Sequence, residues 1–195
     1  MDELYLWDIP AGISLFGLIY LKIERIKLHM SVKKLSLAGV LTALGVVCST
    51  FYIPVGASKV FPVQHFLNVI AGVVLGPVYA VSMAFVTSVV RNIMGTGSIL
   101  AFPGSMCGAL LCGILYKYTK KLGAAFLGEV VGTGILGALL AYPVAAMFLS
   151  GKGAIYAFVI PFSISSFVGA IISVVLLLSL SRSGILQKIL HNEQL

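Results

Sequence analysis

The polar residues of this chain concentrate in one stretch, residues 91–106, which lies between two long apolar runs. The stretch reads RNIMGTGSILAFPGSM and contains a guanidinium, a carboxamide and several hydroxyls. These groups donate and accept hydrogen bonds, and the glycines let the backbone come close to a ligand or another chain. Because buried polar groups need partners, the stretch is a candidate recognition site.

Polar side chains on neighbouring segments extend this candidate site. His65 and Asn68 are three residues apart and share one helical face, which either lines a polar pocket or caps a helix at the membrane boundary. Arg91 either shapes the pocket or extends to the outer headgroups, whereas Asn92 is too short to extend far. The candidate substrate contacts are Gln64, His65, Asn68, Arg91, Asn92, Thr96, Ser98, Ser105, Glu129 and Tyr142.

Glu129 is the only carboxylate between Met30 and Leu190. Counted from Lys121, it lies about 12 Å along its helix, which places it in the inner half of the membrane. Most other polar groups are expected in the outer half. This depth therefore favours a structural role for Glu129, as a partner of neighbouring groups, over direct contact with a ligand. It also places His65 and Glu129 toward opposite faces of the membrane.

The elements that position these residues are apolar enough to be membrane spans. The 195-residue chain is 59% hydrophobic and 10% charged, with a mean hydropathy of +1.09, which is typical of an integral membrane protein. Because a span must satisfy its own backbone hydrogen bonds, we predict an all-α fold with six transmembrane helices. The predicted segments are 35–51, 63–75, 78–94, 101–118, 122–149 and 154–180, with a proline-bearing loop at 53–62 and a turn at 150–153.

The cations predict the orientation. Lys33 and Lys34, the lysines at 117–121, and Arg182 with Lys188 all fall on one side of a six-span chain. That side is expected to be cytoplasmic, so both termini are cytoplasmic and the chain is a multi-pass protein of the cell membrane. This clustering between apolar runs, despite a net charge of +7, argues against nucleic-acid binding.

Residues 1–29 differ from the six-helix domain predicted at 30–195. Their apolar run is short for a span, and the start is acidic rather than basic as in a signal peptide. One hypothesis is that translation begins at Met30 and that residues 1–29 are an extension from a mis-assigned start. The alternative is an interfacial or anchoring helix.

No catalytic or nucleotide-binding motif occurs in the sequence. Cys48, Cys107 and Cys112 lie in apolar spans without a CxxC pair, so we interpret them as packing residues and expect no metal or cofactor. We predict that the chain is not an enzyme. An intramembrane enzyme using Glu129 and His65, and a small passive channel, are the alternatives from other classes.

Two motif sets carry a resemblance to a known family. Residues 54–65 (PVGASKVFPVQH) and the stretch 91–106 resemble the ThiW family, and the likeness covers about residues 31–190. ThiW proteins are substrate-binding (S) components of energy-coupling factor transporters, assigned to the thiazole precursor of thiamine. The resemblance therefore implies a six-helix S component that binds hydroxyethylthiazole near the outer face. Another vitamin or precursor, such as thiamine or the pyrimidine moiety, is the alternative cargo.

The resemblance also implies partners. An S component works with a transmembrane coupling protein and two ATPase subunits. It contacts the coupling protein through a pair of small residues on its first helix. Gly39 and Ala43, four residues apart, match that pair here, with glycine in place of one alanine. Small residues at this spacing let helices approach closely.

Overall fold

The structure of the chain is a computed structural model that describes residues 32–55, 58–148 and 158–192. The described residues from Lys33 onward belong to one compact unit, Lys33–Leu195. Residues 1–29, the turn at 150–153 and the start of the last predicted span at 154 lie outside the described residues.

Helices account for most of the described chain. In chain order they are α1 (Val32–Val47), a 3-10 turn (Cys48–Thr50), α2 (Pro62–Val74), α3 (Pro77–Ile93), α4 (Ala101–Thr119), α5 (Leu122–Val131), a π-helical stretch (Gly132–Gly137), α6 (Ala138–Phe148), α7 (Val159–Arg182) and α8 (Ile185–Asn192). The π-helical stretch joins α5 to α6, so the two form one continuous rod.

Within the part of the chain that the structure describes, three helical segments are long and apolar enough to cross a membrane: Val32–Thr50, Leu122–Met147 and Val159–Arg182. Pro62–Val74 and Pro77–Ile93 are shorter apolar helices. The exposed side chains of the three long segments and of Pro77–Ile93 are largely aliphatic or aromatic, as expected for surfaces that face lipid tails, whereas Pro62–Val74 has no exposed residue. The protein is a helical membrane protein.

The predicted loop at 53–62 is more ordered than the sequence indicated. It contains a short antiparallel hairpin, β1 (Ile53–Val55) and β2 (Ser58–Val60), in which Pro54 pairs with Lys59. A two-stranded ribbon has only edge strands, where a proline without an N–H is tolerated. Pro62, the second proline of the loop, then begins α2, where the missing N–H costs nothing.

Turn chemistry explains where the other helices begin and end. Gly76 has φ 87°, a left-handed conformation that suits glycine, and Pro77 follows as the first residue of α3. This confirms the tight turn predicted between the second and third segments. At the same end of the bundle, Lys34, Lys117 and Lys120 line one cleft, so two of the predicted basic clusters do meet.

Candidate functional site

A cavity of about 550 Å³ opens at the other end of the bundle, where α2, α4 and α7 begin and α3 ends. Most of its lining surface is apolar, although about half of the lining residues carry polar side chains. Its lining residues are Ser49, Thr50, Tyr52, Phe61, Gln64, His65, Arg91, Gly95, Thr96, Gly97, Ser98, Leu100, Ala101, Gly104, Ser105, Thr133, Phe158, Pro161, Phe162 and Ser165. A cleft of this size and mixed lining is typical of small-molecule sites.

Beneath the cavity lies a hydrogen-bonded network centred on Glu129, which is fully buried. Its Oε1 atom is 2.8 Å from His65 Nδ1, and it accepts hydrogen bonds from Asn68 Nδ2 at 3.1 Å and Thr133 Oγ1 at 3.0 Å. Asn68 also donates to the hydroxyl of Ser105 at 3.1 Å. The network satisfies Oε1 of this buried carboxylate, whereas Oε2 has no hydrogen-bond partner among the described residues. It also fixes the side chains that form the cavity floor.

The prediction that His65 and Glu129 lie toward opposite faces is wrong, because the two side chains are in contact. The reason is the length of α2, which has 13 residues and is about 20 Å long, shorter than the hydrocarbon core of about 30 Å. Its C-terminal end lies at the basic end, beside Lys117. Its N-terminal residues therefore lie in the middle of the bundle, at the depth of Glu129.

Arg91 points into the protein, with an exposed fraction of 1%. Its Nη1 donates to Gln64 Oε1, its Nη2 donates to the Thr96 carbonyl at 3.4 Å, and its guanidinium lies 4.4 Å from the centroid of the Phe61 ring. Of the two roles left open for Arg91, extension to the headgroups is incompatible with this burial. The side chain instead forms part of the cavity wall.

The α3–α4 loop is folded back over the end of α3. Gly95 has φ 71°, and the N–H groups of Thr96 and Gly97 both donate to the Arg91 carbonyl. The Thr96 hydroxyl is 2.8 Å from that of Ser49, which ties the loop to the end of α1. The loop thereby brings Thr96 and its neighbours to the cavity wall.

Asn92 has a different position from the one its sequence neighbourhood suggested. Its Nδ2 donates to the Ser88 carbonyl at 2.8 Å and to the Ser98 carbonyl at 3.1 Å, and the side chain is not among the lining residues. A carboxamide that donates to both carbonyls holds the loop against α3. Asn92 is placed to support the cavity from behind rather than to line it.

Close packing of α4 against the α5 rod leaves room for the Glu129 network. A Cβ atom at Gly128 would lie 2.7 Å from the Cys112 backbone, and one at Gly132 would lie 2.7 Å from the Cys107 carbonyl oxygen. The small residues on this rod therefore allow the two helices to approach closely. A Cβ at Gly108 would lie 2.7 and 2.8 Å from the Glu129 carboxylate oxygens, so the missing side chain of Gly108 makes space for that carboxylate.

The structure brings six of the ten candidate residues to the cavity wall: Gln64, His65, Arg91, Thr96, Ser98 and Ser105. Four others do not line it: Asn68, Asn92, Glu129 and Tyr142. Asn68 and Glu129 form the network beneath the floor. The described contacts give Tyr142 no place in either group.

The aromatic part of the wall at the start of α7 was not singled out from the sequence. Phe158, Pro161, Phe162 and Ser165 line the cavity, and the Ser165 hydroxyl accepts a hydrogen bond from the Phe61 backbone N–H at 2.9 Å. Their spacing of three or four residues is that of one helical face, which was a usable signal. Among the described residues, no group of three His, Cys, Asp or Glu side chains could hold a metal ion.

Apolar helices enclosing a partly polar cavity define a helical membrane protein with a buried chamber. A model of the thiamine-precursor transporter family, ThiW, matches residues 35–183. The match covers well over half of the chain, so the protein belongs to the ThiW family, a family of transport proteins rather than of enzymes. Searches of curated proteins and of solved structures found no match.

Proposed function

We propose that this chain is the substrate-binding subunit of an energy-coupling factor transporter and that its cargo is hydroxyethylthiazole. The observation that carries the proposal is the cavity, which is lined by aromatic surface and by polar groups with spare donors. Among the described residues, Gln64 Nε2 and Arg91 Nε have no hydrogen-bond partner, although both atoms are buried. Because Gln64 and Arg91 also line the cavity, their unused donors favour a ligand that carries acceptor atoms.

The chemistry of hydroxyethylthiazole fits such a lining. The flat ring suits a wall that contains Phe61, Phe158 and Phe162. The ring nitrogen and the hydroxyl tail accept hydrogen bonds, and the hydroxyl also donates to oxygens such as those of Ser105 and Thr133. Thiamine and the pyrimidine precursor are the alternative cargoes.

In the proposed topology the chain crosses the plasma membrane six times, through α1, α2, α3, α4, the continuous α5–α6 rod and α7. Both termini are then cytoplasmic, because the end that carries Lys34, Lys117 and Lys120 faces the cytoplasm. The cavity is at the opposite end and opens toward the outside. An importer of an external nutrient needs its binding site on that side.

The sequence contains no nucleotide-binding motif with which this chain could itself use ATP, so we propose that partner subunits supply the energy. We propose a transmembrane coupling protein and two ATPase subunits as these partners, with the coupling protein docked on α1. Gly39 and Ala43 are both exposed there, and a Cβ built on Gly39 would meet nothing within 4 Å. This open strip of small residues suits close helix approach.

A substitution on α1 separates docking from binding. Gly39→Leu is expected to leave hydroxyethylthiazole affinity unchanged and to reduce both co-purification with the partner subunits and thiazole uptake. Val47→Ala, at a position 69% exposed on the same helix, is the control. Normal co-purification of the Gly39→Leu protein would argue against this docking face.

The enzyme alternative gains a geometric basis from the contact between His65 and Glu129. Glu129, however, is fully buried and does not line the cavity, so a bound molecule would meet His65 without meeting the carboxylate. A transport role also agrees with the family. Conversion of hydroxyethylthiazole by the purified protein would revive the alternative.

The direct test is calorimetry of the purified protein with hydroxyethylthiazole, thiamine and the pyrimidine precursor in parallel. We expect saturable binding of one hydroxyethylthiazole per chain, with weaker binding of the other two. Tighter binding of the pyrimidine precursor or of thiamine would transfer the proposal to that compound. Absence of saturable binding by all three would overturn it.

A further inference from the structure

We infer that the positive charge of Arg91 makes the cavity selective, an inference that rests on the proposed function. The cavity then binds a neutral heterocycle and rejects the same ring once its nitrogen is alkylated. A free thiazole nitrogen carries a lone pair and no charge. Alkylation, as in thiamine, converts the ring to a permanent thiazolium cation that has lost its acceptor. The site would therefore separate the precursor from the finished vitamin.

The first observation is that the guanidinium of Arg91 has no counter-ion among the described residues. The side chain is 1% exposed, and the one carboxylate in the described ranges, that of Glu129, contacts His65 instead. Arg91 donates to neutral oxygens of Gln64 and Thr96 instead. A buried charge without an opposite charge beside it sets a positive potential in the adjacent cavity.

The second observation is that Glu129, the carboxylate that could compensate the charge of Arg91, does not reach the cavity. Glu129 is 0% exposed, and its Oε1 atom contacts His65, Asn68 and Thr133, while its buried Oε2 atom has no hydrogen-bond partner among the described residues. Among the described residues that line the cavity, none carries a carboxylate. A cationic ligand would meet a guanidinium across the cavity and would have no anionic side chain to touch.

Helix orientation adds to this potential. The cavity lies where α2, α4 and α7 begin, and its lining includes residues of the first turn of each, such as Gln64, Ala101 and Pro161. Helix N-termini carry partial positive charge, whereas the C-terminal end of α3 contributes the opposite sign. The three N-termini act in the same direction as Arg91.

Aromatic rings attract cations, so the aromatic part of the wall is the feature that could oppose this selectivity. Phe61 already has the Arg91 guanidinium 4.4 Å from its ring centroid. A ring that faces one cation at this distance is a poor site for a second. The remaining rings, Phe158 and Phe162, offer apolar contact that a neutral heterocycle uses equally well.

The expected discrimination follows from Coulomb's law. Two unit positive charges about 6 Å apart at an effective dielectric constant of about 20 change a binding constant about 100-fold. Water in an open cavity weakens this interaction. We therefore expect N-methyl-hydroxyethylthiazolium to bind the wild-type protein between about 10-fold and 100-fold more weakly than hydroxyethylthiazole.

The experiment measures the affinity of the intact protein for three probes: hydroxyethylthiazole, its N-methylated cation, and a neutral analogue with the additional methyl group on the ring carbon next to nitrogen. The neutral methyl analogue controls for size. The inference requires that the cation bind at least 10-fold more weakly than this control. Equal affinities of cation and control would overturn it while leaving the proposed function intact, whereas failure of hydroxyethylthiazole itself to bind would overturn the proposed function.

Two variants assign the discrimination to Arg91. Arg91→Gln removes the charge and keeps a hydrogen-bonding group, and it should reduce the ratio between control and cation to within about 3-fold. Arg91→Lys keeps the charge and should keep most of the ratio, even if it lowers the affinity for all three probes. An unchanged ratio in a folded Arg91→Gln protein would show that another group causes the selectivity. If that variant does not fold, loss of the ratio in Arg91→Lys would overturn the assignment.

Discussion

Replacing Glu129 by alanine removes the acceptor that joins α2, α5 and the π-helical stretch. The His65 ring, the Asn68 amide and the Thr133 hydroxyl, at 2.8, 3.1 and 3.0 Å from Oε1, would lose that acceptor, and all three residues are buried. Each unsatisfied buried group costs about 1–3 kcal/mol, and breaking a buried ion pair by removing one partner costs about 3–5 kcal/mol. Thr133 has a second acceptor in the Gly104 carbonyl at 3.1 Å, so we expect a total loss of about 3–5 kcal/mol.

The assay is thermal unfolding in detergent at a fixed scan rate. For a chain of this size each kcal/mol moves the midpoint by about 2–4 °C, so Glu129→Ala should lower it by about 6–20 °C. Glu129→Gln keeps one acceptor oxygen and should lose about half as much. Leu127→Ala, at a position 57% exposed on the same helix, is the control and should change the midpoint little.

A double-mutant cycle then tests the pairing itself. If His65 and Glu129 stabilise each other, His65→Ala should cost much less in the Glu129→Ala background than in the wild type. Additive effects would refute the pairing. A Glu129→Ala midpoint equal to that of the Leu127→Ala control would refute the network as a whole.

Two further substitutions test the groups around the cavity. Gly108→Ala places a Cβ atom 2.7 and 2.8 Å from the Glu129 oxygens and should lower the free energy of unfolding by about 1–3 kcal/mol. Gly123→Ala is the control, because a Cβ there meets nothing within 4 Å, and thermal unfolding should show it to be neutral or slightly stabilising. Equal unfolding midpoints of the two variants would contradict the close packing at Gly108. Asn92→Ala releases the α3–α4 loop and should weaken hydroxyethylthiazole binding several-fold in calorimetry without unfolding the protein. Unchanged affinity would show that the loop holds its position without this side chain.

The sequence predicted best those features that depend on local chemistry. Gly76 and Pro77 form the turn that their residue types favour, and the lysines at 34 and at 117–120 meet at one end of the bundle. The family followed from long motifs in the loops, and the family match over residues 35–183 confirms it. The polar stretch after α3 does contribute to the cavity wall.

What the sequence did not predict depends on depth and on the direction of side chains. His65 was expected near the outer surface because α2 was assumed to reach it, and the short helix instead brings the ring to Glu129. Asn92 follows Arg91 directly, yet adjacent residues on a helix point in different directions, so only the arginine reaches the cavity wall. Only the spacing of Phe158 and Phe162 indicated the aromatic face of α7, because neither side chain carries a polar group that would mark a binding site.

The central claim is that a thiazole precursor binds in the cavity between the start of α2 and the end of α3, and equilibrium dialysis with labelled hydroxyethylthiazole tests it most directly. Ala101→Phe adds a ring at a position that lines the cavity, and Val78→Phe adds the same ring at a position 74% exposed at the opposite end of the bundle. We predict that the wild type and Val78→Phe bind one ligand per chain and that Ala101→Phe, with an unchanged unfolding midpoint, does not. Wild-type affinity in a folded Ala101→Phe protein would contradict the claim.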